Sequence, residues 1–253
     1  FQGWDGYVGD VIEEIEQRHI RRVDFVFASS QGQFEKRQPW HPDAYFVPNA
    51  VSYELFQSER VTNSPEPGDI QHIPRPRLCY VGMMDPAVDF ELLTTVMTAH
   101  PDWSLVMIGL PRGAEVERAA TALGELSNVY PLGFKPHLET PIYLKWCDVG
   151  LIPYRYTADK MFAYSTKLHE YLAVGLPVVS TAVPEVRSFA GIIGIADGPR
   201  EFADRVEEAL ATNSAEKVGA RIAVARENSW EARLAFMSKL IEPRLRSRNA
   251  RSV

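Results

Sequence analysis

Ser165-Thr166-Lys167-Leu168-His169-Glu170-Tyr171-Leu172-Ala173-Val174-Gly175-Leu176-Pro177-Val178-Val179-Ser180-Thr181 is the stretch that decides the fold. Ser165 is a good N-cap, and Gly175 falls where a helix would end in a left-handed residue. Pro177 stops the helix, and the Pro-Val-Val-Ser-Thr run reads as a short, fully buried parallel strand. These signals enclose a helix of about two and a half turns. Leu168, Tyr171, Leu172 and Gly175 follow the i, i+3, i+4, i+7 spacing of a face turned to a core. Thr166, Lys167 and Glu170 fall on the opposite, open side.

That open side suits a nucleotide diphosphate. Free N–H groups and the positive dipole end of a helix attract phosphate oxygens, and Lys167 adds a full charge. Glu170 lies roughly 4–6 Å further along the axis, about the distance from a pyrophosphate to the hydroxyls of its ribose. A carboxylate accepts hydrogen bonds from both members of a vicinal diol, so Glu170 is placed to hold that ribose. An ordinary amphipathic helix with a solvated Lys and Glu has the same spacing, and spacing alone leaves both readings open.

The run resembles the donor-binding signature of group 1 (family 4-like) glycosyltransferases of the GT-B fold, which share Lys-x-x-Glu-Tyr-x-Ala-x-Gly-x-Pro-Val-Val at this point. The resemblance extends through Tyr80-Val81-Gly82, Asn128 to Gly133 and Asp148-Val149-Gly150-Leu151-Ile152-Pro153-Tyr154, in the family's order. It implies a transfer of sugar from a nucleotide-diphosphate sugar, UDP- or GDP-linked, to a sugar, lipid-linked or small-molecule acceptor in bacterial polysaccharide or glycolipid synthesis. The donor is then a substrate, and no cofactor is expected.

From Arg77 onward strands alternate with helices, which predicts an α/β fold with a parallel, doubly wound sheet. Ligands of such sheets bind beyond the carboxyl ends of the strands. After Val81 come Gly82 and Met83, where a missing Cβ lets backbone approach a ligand. The resemblance places this loop beside the pyrophosphate. Many family members carry an Arg and a Lys shortly after it, whereas Met83, Met84, Asp85 and Asp89 stand here, which leaves Lys167 as the main cation. Gly109-Leu110-Pro111-Arg112-Gly113 has neither P-loop nor dinucleotide-fold spacing and reads as a turn. By resemblance the Gly133 backbone meets the nucleobase edge; Phe134 stacks on the base or packs under the loop. Pro153 and Tyr154 open the donor-facing loop. Many retaining members place a second Glu eight positions before the one matching Glu170; Phe162 occupies that position.

Four regions are expected. Residues 1–57 resemble the end of an N-terminal Rossmann-like acceptor domain, with Pro48-Asn49-Ala50-Val51 matching the family's closing Pro-Asn-Gly-Val. Residues 58–76 read as a Ser/Pro-rich linker. Residues 77–228 form the Rossmann-like donor-binding domain, and 229–253 a helix returning toward the N-terminal domain, with a basic tail.

The formal charge of −6 argues against a general nucleic-acid binder. Only Arg244, Arg246, Arg248 and Arg251 make the tail locally basic, which reads as a solvated, disordered segment, with peripheral contact to anionic lipid as the alternative. Cys79 and Cys147 sit in apolar runs as buried thiols, and neither they nor the six His residues show metal-ligand spacing. His169 reads as structural. No apolar stretch reaches about 18 residues and no signal peptide opens the chain, so a cytoplasmic location, or the inner face of the membrane, is expected. Two other functions fit the same pattern: a non-catalytic nucleotide-sugar-binding domain, favoured by the missing Arg/Lys pair, and a GT-B sugar-nucleotide epimerase, disfavoured by Phe162.

Overall fold

The computed structural model describes residues 6–155 and 166–249. These divide into two compact units, residues 6–49 and residues 50–155 with 166–249. In the smaller unit, helix α1 (Gly6–Ile20) precedes strand β1 (Val26–Ala28), helix α2 (Gln31–Arg37) and strand β2 (Ala44–Phe46). The two strands pair in parallel, Val26 with Ala44 through Ala28 with Phe46. Ser30 caps α2 by accepting from the Gln33 N–H. Ion pairs Lys36–Glu13 and Arg37–Glu16 join α2 to α1.

The larger unit opens with two single-turn helices, α3 (Tyr53–Phe56) and α4 (Glu59–Thr62). Alternation follows: β3 (Arg77–Val81), α5 (Phe90–Ala99), β4 (Ser104–Ile108), α6 (Ala114–Gly124), β5 (Val129–Gly133), α7 (Thr140–Lys145) and β6 (Val149–Ile152). Then come α8 (Lys167–Ala173), β7 (Val178–Thr181), β8 (Gly194–Ala196), α9 (Pro199–Ala211), α10 (Ala215–Glu227) and α11 (Trp230–Asn249). The six strands are all parallel in the order β5-β4-β3-β6-β7-β8. Every residue of β3, β4 and β6 is buried, as strands covered on both faces require. Right-handed crossovers put the helices on opposite faces once the strand order reverses. α5 packs with α6 and α9, while α8 packs with α3 and α10, and α7 with α4.

Two features of the 165–181 stretch organise this core. α8 ends in a Schellman motif, with Gly175 N–H donating to Leu172 O (2.9 Å) and Leu176 N–H to Tyr171 O (3.0 Å), and Gly175 at φ +75°. Tyr171, fully buried, bolts the central strands together: its hydroxyl accepts from Val81 N–H (3.0 Å) and donates to Leu151 O (3.4 Å). Its ring fills the place of a side chain at Gly150, where an added Cβ would lie 2.6 Å from Cδ2. That explains a glycine in the middle of a buried strand.

The structure differs from the sequence reading in three places. The boundary between units falls at Asn49/Ala50 rather than at 57/58. The predicted linker is packed chain, because Val61, Ile70 and Ile73 are buried in the core of the larger unit. Their irregular spacing among polar residues hid them. Lys145 Nζ also donates to the carbonyls of Thr62 (2.6 Å) and Ser64 (3.0 Å). Finally, α11 continues to Asn249, so Arg244 to Arg248 are helical rather than a disordered tail, with Pro243 inside the helix.

Candidate functional site

The strand order reverses between β3 and β6, so the segments leaving their carboxyl ends diverge and open a crevice. Gly82 leaves β3 at φ +129°, and Pro153-Tyr154 leaves β6. Both exits are tied down. Asp89 N–H donates to Pro153 O (2.7 Å), and Arg155 N–H to Ala87 O (2.7 Å). Tyr154 N–H donates to Thr181 Oγ1 (3.0 Å), which donates back to Tyr154 O (2.6 Å).

Lys167 enters this crevice from the first residue of α8. Its Nζ donates to the Tyr154 hydroxyl at 2.7 Å and lies 5.2 Å from the Tyr80 ring centre and 5.4 Å from that of Tyr154. Two of its three N–H donors have no acceptor among the described residues. The stem crosses Gly82, where an added Cβ would lie 2.5 Å from Cε; the glycine makes room for the lysine. Burial, then the neighbouring Tyr154 phenol, raise the Tyr80 pKa, so Tyr80 is a neutral donor to Met83 O (2.8 Å). Two aromatic faces and one hydrogen bond therefore fix an ammonium at the switch point.

Glu170 lies one turn along α8, its side chain 14% exposed and its Oε1 4.0 Å from His137 Nδ1. Among the described residues no donor comes within hydrogen-bond distance of its carboxylate. Burial raises its pKa above the ordinary carboxylate value, while His137 and then Lys167 pull it back. A part-buried carboxylate with open acceptors beside a held ammonium is complementary to a ligand with hydroxyls next to phosphate.

The third wall is the segment after β5. Gly133 turns at φ +67°, and its carbonyl accepts from Gly109 N–H (2.8 Å). Phe134, 68% exposed, presents an uncovered ring. Lys135 anchors the segment to Asp69 (2.6 Å), which also accepts from the Tyr143 hydroxyl (3.1 Å).

The fold thus brings together Lys167, Gly82 and Tyr154 in direct contact, with Glu170 one helical turn away. Gly133 joins them through Gly109, and Met83 is exposed at the rim. Pro153 is buried and holds the loop through its carbonyl instead of facing the crevice. The Thr166 side chain makes no cap hydrogen bond, and the helix is two turns long rather than two and a half. Ser165 and the loop with Asp159, Lys160 and Phe162 lie outside the described residues. Asp85 and Asp89, which replace the family's cations, accept backbone N–H groups from Ala87 (2.9 Å) and Leu92 (3.0 Å), closing a turn and capping α5. Tyr80, Gly109, His137 and Thr181 complete the site and were not singled out by spacing; each acts across strands, where a local pattern carries no signal.

His169 follows α8's other face. It is fully buried, edge-on to Phe189 at 5.3 Å, and burial, then Arg233, lower its pKa to about 4. The folded state holds it neutral, so stability is intact above pH 6.5 and is lost as the unfolded chain takes up a proton below that. About 1.4 kcal/mol per pH unit should disappear between pH 6.5 and about 4, roughly 3 kcal/mol in all. Urea melts of the wild type against His169→Phe test this: the difference between them should grow by that amount over the window, and a constant difference would refute it.

A family model described as "Glycosyl transferases group 1" matches residues 75–212. TuaH of Bacillus subtilis (strain 168), assigned as a glycosyltransferase of teichuronic acid biosynthesis, is 28% identical over 229 residues. That match covers 87% of this chain but 57% of TuaH, so the chain spans little more than half of that relative. Among solved structures, Anabaena HepE in complex with UDP and glucose superposes with a TM-score of 0.66 at 14% identity, over 91% of this chain and 68% of HepE. Sucrose-phosphate synthase from Thermosynechococcus elongatus gives 0.68 at 18% identity, over 92% and 61%. At these identities the likeness shows a shared fold, the Rossmann-like parallel sheet of GT-B proteins.

Proposed function

Because this chain belongs to the group 1 glycosyl transferases, we propose that it carries the donor site of an enzyme that moves a sugar from a UDP- or GDP-linked donor to an acceptor. The acceptor class is a sugar, a lipid-linked saccharide or another small molecule, and the setting is bacterial polysaccharide or glycolipid synthesis. TuaH's assignment supports the polysaccharide setting, and HepE's complex with UDP supports a nucleotide donor. A cytoplasmic location at the inner membrane face suits a lipid-linked acceptor, with exposed Arg244 and Arg246 as the peripheral contact. No described helix is long and apolar enough to cross a membrane.

One observation carries the reading: an immobilised ammonium stands at the strand-order reversal, and among the described residues two of its N–H donors and the acceptors of the neighbouring Glu170 carboxylate are open. In the proposed complex Lys167 and the Gly82-Met83 backbone take the diphosphate. Glu170 accepts from both ribose hydroxyls. Gly133 meets the base edge, and Phe134 covers its face. As the bond from the anomeric carbon to the diphosphate breaks, its electron pair stays on the phosphate oxygen, and Lys167 stabilises that charge. The acceptor hydroxyl bonds to the anomeric carbon and gives its proton to a base. No metal or cofactor enters this scheme.

Calorimetric titration with UDP, GDP and ADP tests the reading. UDP or GDP should bind, and a folded sample that binds none of the three rules it out. The pH dependence identifies Glu170. Its raised pKa means that it is protonated, and nucleotide affinity falls, at a pH above the ordinary 4.5. Glu170→Gln should bind more weakly and lack that inflection, while phosphate titration near pH ~6 persists in both. A second reading, binding without turnover, is favoured by Asp85 and Asp89 standing where the family places cations. Donor hydrolysis or transfer by the full-length protein separates the two.

A further inference from the structure

A second cavity lies at the β8 edge of the sheet, where β7 and β8 begin. It has a volume of about 380 Å³ and is lined by Pro177, Val178, Gly194, the end of α9 and one side of α10. Three cationic side chains line it, Arg205, Lys217 and Arg221, against one carboxylate, Glu208. This excess of positive charge sits in a chain whose formal charge is −6. Glu208 is committed to Arg205 (2.9 Å), which also pairs with Glu201 (3.3 Å). Among the described residues Lys217 Nζ donates to Thr212 Oγ1 alone (2.7 Å).

Arg221 has no counter-charge among the described residues. Its side chain is buried, 5% exposed, yet it meets neutral acceptors alone: Nε donates to Gly175 O (2.8 Å) and Nη2 to Asn213 Oδ1. Three of its five N–H donors find no acceptor among the described residues, and no carboxylate there pairs with it. Burial is the sole cause lowering its pKa. The Gly175 carbonyl, at the negative end of α8, compensates part of the charge. Nη1 is not sealed from the cavity, and the planar fork of a guanidinium matches an oxyanion.

We propose that this cavity binds a phosphate-sized oxyanion, free phosphate or a phosphomonoester, through Arg221 and Lys217. The site is separate from the donor crevice, which lies at the other ends of the strands. It needs no assumption about the reaction.

Thermal unfolding of the chain tests the proposal, with sodium phosphate compared against sodium chloride at equal ionic strength. The Lys167→Ala background removes the donor crevice as a competing phosphate site. In that background ~10 mM phosphate should raise Tm by roughly 3 °C for a millimolar site. Ala220→Glu places a carboxylate on an exposed position of α10 at the cavity wall. It should raise Tm without phosphate and abolish the phosphate response; Lys217→Ala should weaken that response while leaving the fold intact. Glycerol phosphate at the same concentration distinguishes the sources: a larger shift than phosphate's identifies a phosphomonoester, an equal one free phosphate. A phosphate shift no larger than chloride's, or one that survives both cavity substitutions, overturns the proposal.

Discussion

Lys167→Ala is expected to lose about a hundredfold in affinity for UDP or GDP, and to lose little stability. A hydrogen bond to a charged group contributes about 1.5–3 kcal/mol, and the two N–H donors of Lys167 without an acceptor among the described residues are those proposed to meet the diphosphate. A loss near 2.7 kcal/mol corresponds to that hundredfold. The stability cost is confined to the contacts with Tyr80 and Tyr154, about 0.5–1 kcal/mol each for a part-exposed cation over a ring. Lys167→Arg should not restore binding. The ammonium sits between the Tyr80 and Tyr154 rings, 5.2 and 5.4 Å from their centres, and a planar guanidinium needs more room. Calorimetry at fixed ionic strength measures both variants. Wild-type affinity in the alanine variant would remove Lys167 from the diphosphate site.

Gly109→Ala is expected to be the most damaging single methyl in the larger unit, destabilising by about 3–5 kcal/mol or preventing folding. The added Cβ would lie 2.0 Å from the Gly82 carbonyl oxygen, and Gly109 sits at φ +136°, where L side chains are strained. Neither backbone can withdraw freely. Gly82 N–H donates to Ile108 O (2.8 Å), and Gly109 N–H donates to Gly133 O (2.8 Å). The exits of β3, β4 and β5 are thus one connected turn cluster, and the backbone path of Gly82 depends on Gly109. Gly133→Ala is the control: φ +67° is unfavourable, but the Cβ meets nothing within 4 Å, so about 1 kcal/mol is expected. Denaturant melts rank the two, and a Gly109 variant as stable as the Gly133 variant would refute the argument.

Both predictions turn on close approaches between segments far apart in the chain, and that is where the reading of the sequence stopped. Gly109 read as an ordinary turn because its partner, Gly82, is 27 residues away by number. Asp85 and Asp89 read as a defect in phosphate binding. They serve as turn and cap, a use local to the chain but invisible without knowing which N–H groups lack partners. The apolar residues of 58–76 were hidden by polar neighbours and by the lack of any period.

The sequence by itself determined the alternation of buried strands and amphipathic helices, and therefore the doubly wound sheet, because hydrophobic period and capping residues are local properties. It also determined Lys167 and Glu170 as one turn apart on a short helix, with Gly175 ending it. Only the tertiary structure decided that Tyr154 and Tyr80 would hold that lysine, that Tyr171 would bolt β3 to β6, and that Arg221 would be buried with no carboxylate partner among the described residues. Those outcomes depend on which strands become neighbours, and strand order is set by packing over the whole domain rather than by any window of residues.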